Sequence, residues 1–200
     1  MGWHEVMREL EEKLEGTFKG TYRPLEGVPF FRVQYPPDQE REALRQFRQL
    51  ADRLSRRGWK MELVRMSHLL NEALQDLLGC SPDALPERLK ALERERGREE
   101  LRAKLSEHLP DILARLLRER LQGKSDLEGV ILLRTGVLYP FVRPSSLLAR
   151  LEGEVRCAVV FPYPGTTLGA FLDAPPADPH GGYYRGEVVS WRQEVRGYVD

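Results

Sequence analysis

The sequence predicts an α/β fold with three layers, in which helices cover both faces of a mostly parallel sheet of four to five strands. Short apolar runs such as 130–133 are typical of buried strands, and longer segments between such runs carry apolar residues at helical spacing. Strands that alternate with helices form parallel sheets covered on both faces. Residues 1–200 are interpreted as a single domain because 200 residues suit one domain of this kind.

The first part of the chain supplies two of the predicted strands. Pro36 and Pro37 end the first strand, and Asp38 can cap the helix that follows. In the second strand Met61 and Leu63 alternate with polar neighbours. In chain order the predicted elements are a helix at 3–15, a strand at 30–35, a helix at 39–57, a strand at 59–66 and a helix that Ser67 caps and Gly79 ends.

The segment 81–122 departs from this alternation of strands and helices. It is charged and rich in leucine, and it has almost no β-branched residues. Pro82 marks a helix start and Pro110 a break, so the segment is predicted to form two or three helices inserted between strands two and three. The charge run 93–100 is typical of a solvated helical face, and the alternative is a helical arm that docks a partner.

Residues 129–165 hold the third and fourth strands, with the most unusual residues of the chain between them. Residues 130–133 form a predicted strand, a short helix begins near Ser145, and 157–161 form the next strand. A final strand is predicted at 187–191.

Right-handed crossovers would bring the loops that follow these strands together at one edge of the sheet. In open α/β sheets, ligands bind at that edge. The loops expected there are 36–38, 67–68, 134–144 and 161–165.

Charge and composition exclude several classes of protein. Basic and acidic residues number 31 each, so no overall field attracts the chain to nucleic acid or membrane, and DNA contact through the arginine-rich insertion is disfavoured. No apolar run approaches the ~20 residues that span a bilayer, and no signal peptide is recognisable. Cys80 and Cys157 lie in different predicted settings, which favours a reducing cytoplasm over a disulfide framework.

No conventional catalytic signature is present. Gly123-Lys124-Ser125 resembles the end of a phosphate-binding P-loop, but the motif needs a glycine where Arg118 stands. It also needs a strand ahead, where a helix is predicted, so Gly123 is interpreted as the end of that helix. Neither a GxGxxG nor a GxSxG motif occurs, and Cys157 in an apolar strand is expected to be inert. The sequence therefore favours a protein that is not an enzyme, and it predicts no cofactor.

Metal-ligand spacing is also missing from the sequence. The four histidines are scattered, and no HxxxH or CxxC motif occurs. Asp173, Asp178 and His180 share one loop, but its proline- and glycine-rich sequence is typical of a plain surface loop. No metal site is predicted.

One group of residues between the third and fourth strands is chemically distinctive. Its arginines can bind an anion, a nucleotide phosphate or a partner carboxylate, and the helix near Ser145 offers its amino-terminal amides at the same edge. The alternative is that the arginines pair with local acids and the aromatic rings pack against the sheet. The candidate residues are Arg134, Thr135, Gly136, Tyr139, Pro140, Arg143, Ser145 and Tyr163.

These residues also carry a family resemblance. The segments FRVQYPP at 31–37 and RTGVLYPFVR at 134–143 are followed by Phe161-Pro162 with Gly165, and by Tyr183-Tyr184-Arg185. From about Phe30 to Trp191 the chain resembles the BrxB family of the bacteriophage exclusion (BREX) defence systems. It departs from the family pattern at Tyr163-Pro164, and the loop at 173–182 looks individual.

The resemblance implies a small cytoplasmic component of a multi-protein system that restricts phage. Such systems also contain a methyltransferase, a large ATPase and a PglZ-type phosphatase-like protein. The family has no established catalytic residues to carry over. The chain is therefore predicted to be a non-catalytic adaptor that binds another BREX protein, the PglZ-type protein foremost. The alternative is a degenerate nucleotide- or anion-binding regulatory domain of the same system.

Overall fold

The computed structural model describes residues 2–24, 27–165 and 186–190, and it has the predicted α/β architecture. Within these residues five strands form one parallel sheet in the order β2-β3-β4-β1-β5. The strands are β1 (Phe30–Tyr35), β2 (Met61–Arg65), β3 (Gly129–Leu133), β4 (Ala158–Pro164) and β5 (Glu187–Ser190). The helices are α1 (Trp3–Phe18), α2 (Glu40–Arg56), α3 (Met66–Leu78), α4 (Leu85–Arg96), α5 (Arg98–Gln122) and α6 (Pro144–Leu151).

Helices cover both faces of the sheet, which confirms the predicted three layers. Successive strand residues point to opposite faces, so Phe31 and Val33 of β1 lie in one core with α1 and α2. Phe30 lies in the other core, with α3, α5 and α6. The two cores share only the sheet between them.

The connections place the ends of the strands that lead into helices at one edge of the sheet. The chain runs from β1 through α2 to the distant strand β2 on one face, and returns through α5 and α6 to β3 and β4 on the other face. A connection that crosses one face of the sheet in one direction has the same hand as a connection that crosses the other face in the opposite direction. The carboxyl ends of the strands therefore lie together, and we call this side of the sheet the carboxyl edge.

The predicted break at Pro110 is wrong, because α5 continues through this residue. A buried stripe at four-residue spacing, from Leu105 through Leu109 and Leu113 to Leu117, runs past the proline without interruption. Proline in a helix interior removes one backbone hydrogen bond. Packing of this stripe against α3 and α6 outweighs that loss and keeps the helix continuous.

The predicted helix caps at Asp38 and Ser67 are also wrong, and the helix predicted near Ser145 begins at Pro144. Asp38 lies within a 3-10 turn at Pro37–Gln39, before α2 begins, and Ser67 and Ser145 are each the second residue of their helix. Pro144 is the first residue of α6, and a proline there has no amide hydrogen that needs a cap. Met66 begins α3 directly after β2, and its buried side chain anchors that start.

The apolar pattern of β2 is only partly as predicted. Leu63 is 37% exposed, whereas Val64 is buried. β2 lies at the end of the strand order, where helix coverage of the sheet is incomplete.

Cys157 is buried just before β4, and burial raises the pKa of its thiol to about 11, as expected of an inert cysteine. Within the described part of the chain, no helix has both the length and the apolar character needed to cross a bilayer.

Candidate functional site

A groove with a volume of ≈ 720 Å³ lies at the carboxyl edge, and we call it the loop-edge groove. Its walls come from five parts of the chain. Pro37 follows β1, Tyr163 and Pro164 end β4, and the segment 135–144 follows β3. Ser146 of α6 also lines it, and α5 contributes the residues Arg102, Ser106 and Pro110. The loops after β1, β3 and β4 thus meet as the topology predicts, whereas Ser67 and His68 do not line this groove.

The chain turns sharply at the end of β3. Arg134 has a left-handed backbone conformation with φ 61°, which is rare for any residue other than glycine. A 3-10 turn at Thr135–Leu138 follows, and the Tyr139–Pro140 peptide bond is cis. The amide of Val142 donates to the carbonyl of Leu138 over 2.8 Å and closes this loop. Non-glycine residues held in a left-handed conformation cluster at functional sites, so the backbone of Arg134 marks this turn as part of a candidate site.

β4 is longer than predicted, because the strand continues through Phe161 to Pro164. The amide of Ala158 donates to the carbonyl of Glu128 beside β3, so alternate residues from Ala158 to Pro162 present their polar backbone groups to the β3 side. The pairing with β3 ends at Val160. Pro162 lies beyond this pairing, so its missing amide hydrogen removes no bond between β3 and β4, and a proline is tolerated there.

Thr135 supplies a hydrogen-bond donor for Pro162 beyond the end of this pairing. Its buried hydroxyl donates a hydrogen bond to the Pro162 carbonyl. Gly136 lies next to it, and a Cβ atom at Gly136 would be 3.2 Å from Cγ of Pro164, closer than most side chains tolerate. The loop after β3 is thus held tightly against the end of β4.

Replacement of Thr135 by valine is expected to lower the free energy of unfolding by about 1–3 kcal/mol. Valine has nearly the same shape but leaves the Pro162 carbonyl without this buried donor. Chemical denaturation followed by circular dichroism measures the loss. Thr135→Ser keeps the hydroxyl and is the matched control; a loss in Thr135→Ser together with unchanged stability in Thr135→Val would show that the methyl group, and not the hydrogen bond, stabilises the loop.

The end of β1 is fixed in a different way from the end of β3. The hydroxyl of Tyr35, the last residue of β1, donates to a carboxylate oxygen of Glu40 over 2.5 Å. Burial and this bond to Glu40 raise the pKa of Tyr35, so the hydroxyl stays protonated. The bond ties the strand to the first turn of α2 and so holds Pro37 in place on one side of the groove.

The groove carries positive charge. Within the described residues, the ionisable side chains that line it, tyrosines apart, are Arg102 and Arg143, and no carboxylate is among the lining residues. Arg96 of α4 and Lys104 of α5 both pair with Glu100, whereas Arg102 of α5 has no salt-bridge partner in the described part of the chain. Tyr139 stands at the rim with 81% of its surface exposed. The groove therefore presents an aromatic ring and guanidinium groups to solvent.

The structure brings together most of the candidate residues predicted from the sequence. Two lie outside the lining: the exposed Arg134 and the buried Ser145. Those that line the groove together are Thr135, Gly136, Tyr139, Pro140, Arg143 and Tyr163. Asp173, Asp178 and His180, which were considered as metal ligands, lie outside the described residues.

Sequence reasoning missed the contribution of α5. Arg102 and Ser106 lie four residues apart on this helix, so they share one side of it. The charge run near them was interpreted as a solvated face. The signal that identifies them is the leucine stripe through Pro110, which fixes the rotation of the whole helix.

The lining offers guanidinium groups, tyrosine and serine hydroxyls and proline rings, a chemistry that suits a partner or ligand bearing acidic and apolar groups.

The comparisons with known proteins bear on the part of the chain that forms this groove. The model of the family described as "BREX protein BrxB" matches residues 75–187, more than half of the chain. No curated protein and no solved structure has significant similarity to the chain. The matched residues include α5, the loop after β3, α6 and β4, that is, most of the walls of the groove. The chain therefore belongs to the BrxB family and is a component of a BREX defence system.

Proposed function

We propose that this protein is a non-catalytic adaptor that binds another BREX protein through the loop-edge groove, and that it acts in the cytoplasm. The observation that carries the proposal is Tyr139, an aromatic residue with 81% of its surface exposed beside a groove of arginines and prolines. Tyrosine and arginine are enriched among the residues that contribute most to protein–protein binding. The partner we propose is the PglZ-type phosphatase-like protein of the same system.

The loop that carries Tyr139 suits this role because it is held in place before binding. The Phe141 amide donates to the Leu138 carbonyl over 2.9 Å, and the hydroxyl of Thr135 fixes the start of the loop to β4. A docking surface that is already ordered loses less entropy on binding than a mobile one.

The expected result of replacing Tyr139 or Arg143 by alanine is at least about 30-fold weaker binding, since an interface residue of this kind contributes about 2 kcal/mol. The measurement is co-purification of the tagged protein with each BREX protein of its system, followed by titration of the partner that is retained. Arg156→Ala is the matched control, because Arg156 is an exposed arginine before β4, at the opposite edge of the sheet. The melting temperature of each variant shows that the fold is intact.

Two outcomes would contradict the proposal. The first is that no BREX protein co-purifies with the unaltered chain, either from cell extract or when expressed in pairs. The second is that both groove variants bind the partner as tightly as Arg156→Ala does. Retention of a BREX protein other than the PglZ-type protein would keep the adaptor function and correct the partner.

A second candidate is a regulatory domain that binds a nucleotide or another anion in the same groove. The observation that favours it is that Arg102 and Arg143 face one groove without an acidic lining residue in the described part of the chain. A panel of nucleotides in a thermal-shift assay tests it. A ligand at ~100 times its Kd stabilises the fold by about 2.7 kcal/mol, so a melting temperature unchanged by every nucleotide would reject this candidate.

A further inference from the structure

A second groove lies between the α4–α5 pair and the loop after β3, with a volume of ≈ 580 Å³. We call it the hairpin groove. Its apolar lining includes Leu89 of α4, Leu101 of α5 and Phe141, each of them only half-buried. Covering half-buried leucine and phenylalanine side chains with a partner is favourable, because it removes apolar surface from water.

The hairpin groove exists because α4 packs on its neighbours through few residues. Gly97 has φ 83° and separates α4 from α5, so the two helices meet at an angle. Only Leu85 and Leu92 of α4 are buried. The remaining side of α4 therefore stands away from Phe141 and leaves the groove open.

The two grooves adjoin each other. Arg102, Pro140 and Phe141 line both of them, and we call the two grooves together the trough, which extends from the carboxyl edge to α4. Its two halves differ in charge. Among the described residues, the charged side chains that line the loop-edge half are all arginines. The hairpin half is lined by basic residues and also by Glu93 and Glu99.

From this division we infer that the trough binds one segment of the partner protein, in which a run of apolar side chains is joined to a cluster of carboxylates. The apolar side chains cover Leu89, Leu101 and Phe141, and the carboxylates lie over Arg102 and Arg143. Arginine binds carboxylates in a planar, two-bond geometry, which fixes the direction of the segment along the trough. The inference rests on the proposed adaptor function and adds the chemistry and the course of the bound segment.

Charge reversal at the shared wall tests the electrostatic half of this inference. Arg102→Glu is expected to weaken binding of the BREX protein that co-purifies by at least about 30-fold, because a favourable charge pair becomes a repulsive one. Arg88→Glu, on an exposed part of α4, is the matched control and should change binding by less than about threefold. If Arg102→Glu binds normally while the unaltered chain still co-purifies with its partner, the inference is wrong and the adaptor function stands.

Photo-crosslinking tests whether one segment occupies both halves. A photoreactive amino acid replaces Leu89 in the hairpin groove or Ser146 in the loop-edge groove, and mass spectrometry locates the crosslinked residues. The expected result is that both positions label a single stretch of the partner, with Asp and Glu at the end that Ser146 labels. Labelling of two separate stretches, of a basic stretch, or of a second copy of this chain would overturn the inference. Absence of any BREX partner would overturn the adaptor function as well.

Discussion

Replacement of Phe47 by alanine is expected to lower the free energy of unfolding by about 3–5 kcal/mol, the range for a large aromatic residue removed from a core. Phe47 of α2 is fully buried. Its ring centroid lies 6.2 Å from that of Trp3 and 6.4 Å from that of Tyr35, so it joins α1, α2 and β1 in one aromatic cluster. Alanine would leave a cavity between these three elements.

Urea denaturation of the Phe47→Ala variant measures the effect. For a chain of this length, the expected loss corresponds to a melting temperature lower by roughly 6–20 °C. Arg48→Ala, on the exposed side of the same helix, is the control and should change stability by no more than about 0.5 kcal/mol. A loss below about 1 kcal/mol in Phe47→Ala would show that α1 and α2 close around the vacant space, or that they do not pack as described.

Replacement of Leu113 by alanine should cost about 2–5 kcal/mol on the opposite face of the sheet. Leu113 is fully buried on α5 and belongs to the core that α5 forms with α3, α6 and the sheet. The variant therefore tests whether the long helix of the predicted insertion is part of the folded core. Glu107→Ala, exposed on the same helix, is the control.

The readout for Leu113→Ala compares two probes. Trp3 and Trp59 pack with the other core, on the far side of the sheet from α5. If the sheet couples both cores, tryptophan fluorescence and helical circular dichroism should change together at the same lower urea concentration. A dichroism change that precedes the fluorescence change would show that α5 unfolds separately, and would contradict the single packed unit.

The sequence predicted well those features that local pattern decides. β1 begins and ends at the predicted residues, because the bulky side chains of 30–35 favour a strand and the two prolines that follow end it. The order of strands and helices along the chain was predicted from the same kind of local pattern. That order in turn predicted that the loops after the strands meet at the carboxyl edge. These features need only periodicity and the hand of the crossovers.

Features decided by packing between distant segments were not predictable in this way. Local propensity ends a helix at Pro110, but the leucine stripe of α5 packs against α3 and α6 and carries the helix onward. Local propensity also ends β4 before Pro162, but pairing with β1 continues to Pro164 and carries the strand onward. The position of Arg102 in the groove depends on the rotation of α5, so it could not be found before that helix was known to be continuous.

The strand order also determines when each strand can pair during synthesis. β1 pairs with β4 and β5, and not with β2 or β3, which follow it more closely in the chain. Its apolar residues Phe30, Phe31 and Val33 therefore emerge more than a hundred residues before their nearest partner strand. At about 5–20 residues per second, the interval is on the order of ten seconds. During that time the nascent chain carries an unpaired apolar strand, the kind of segment that aggregates. Fragments that end before Ala158 should therefore be insoluble, and the described sheet reaches its native order only after β5 has left the ribosome.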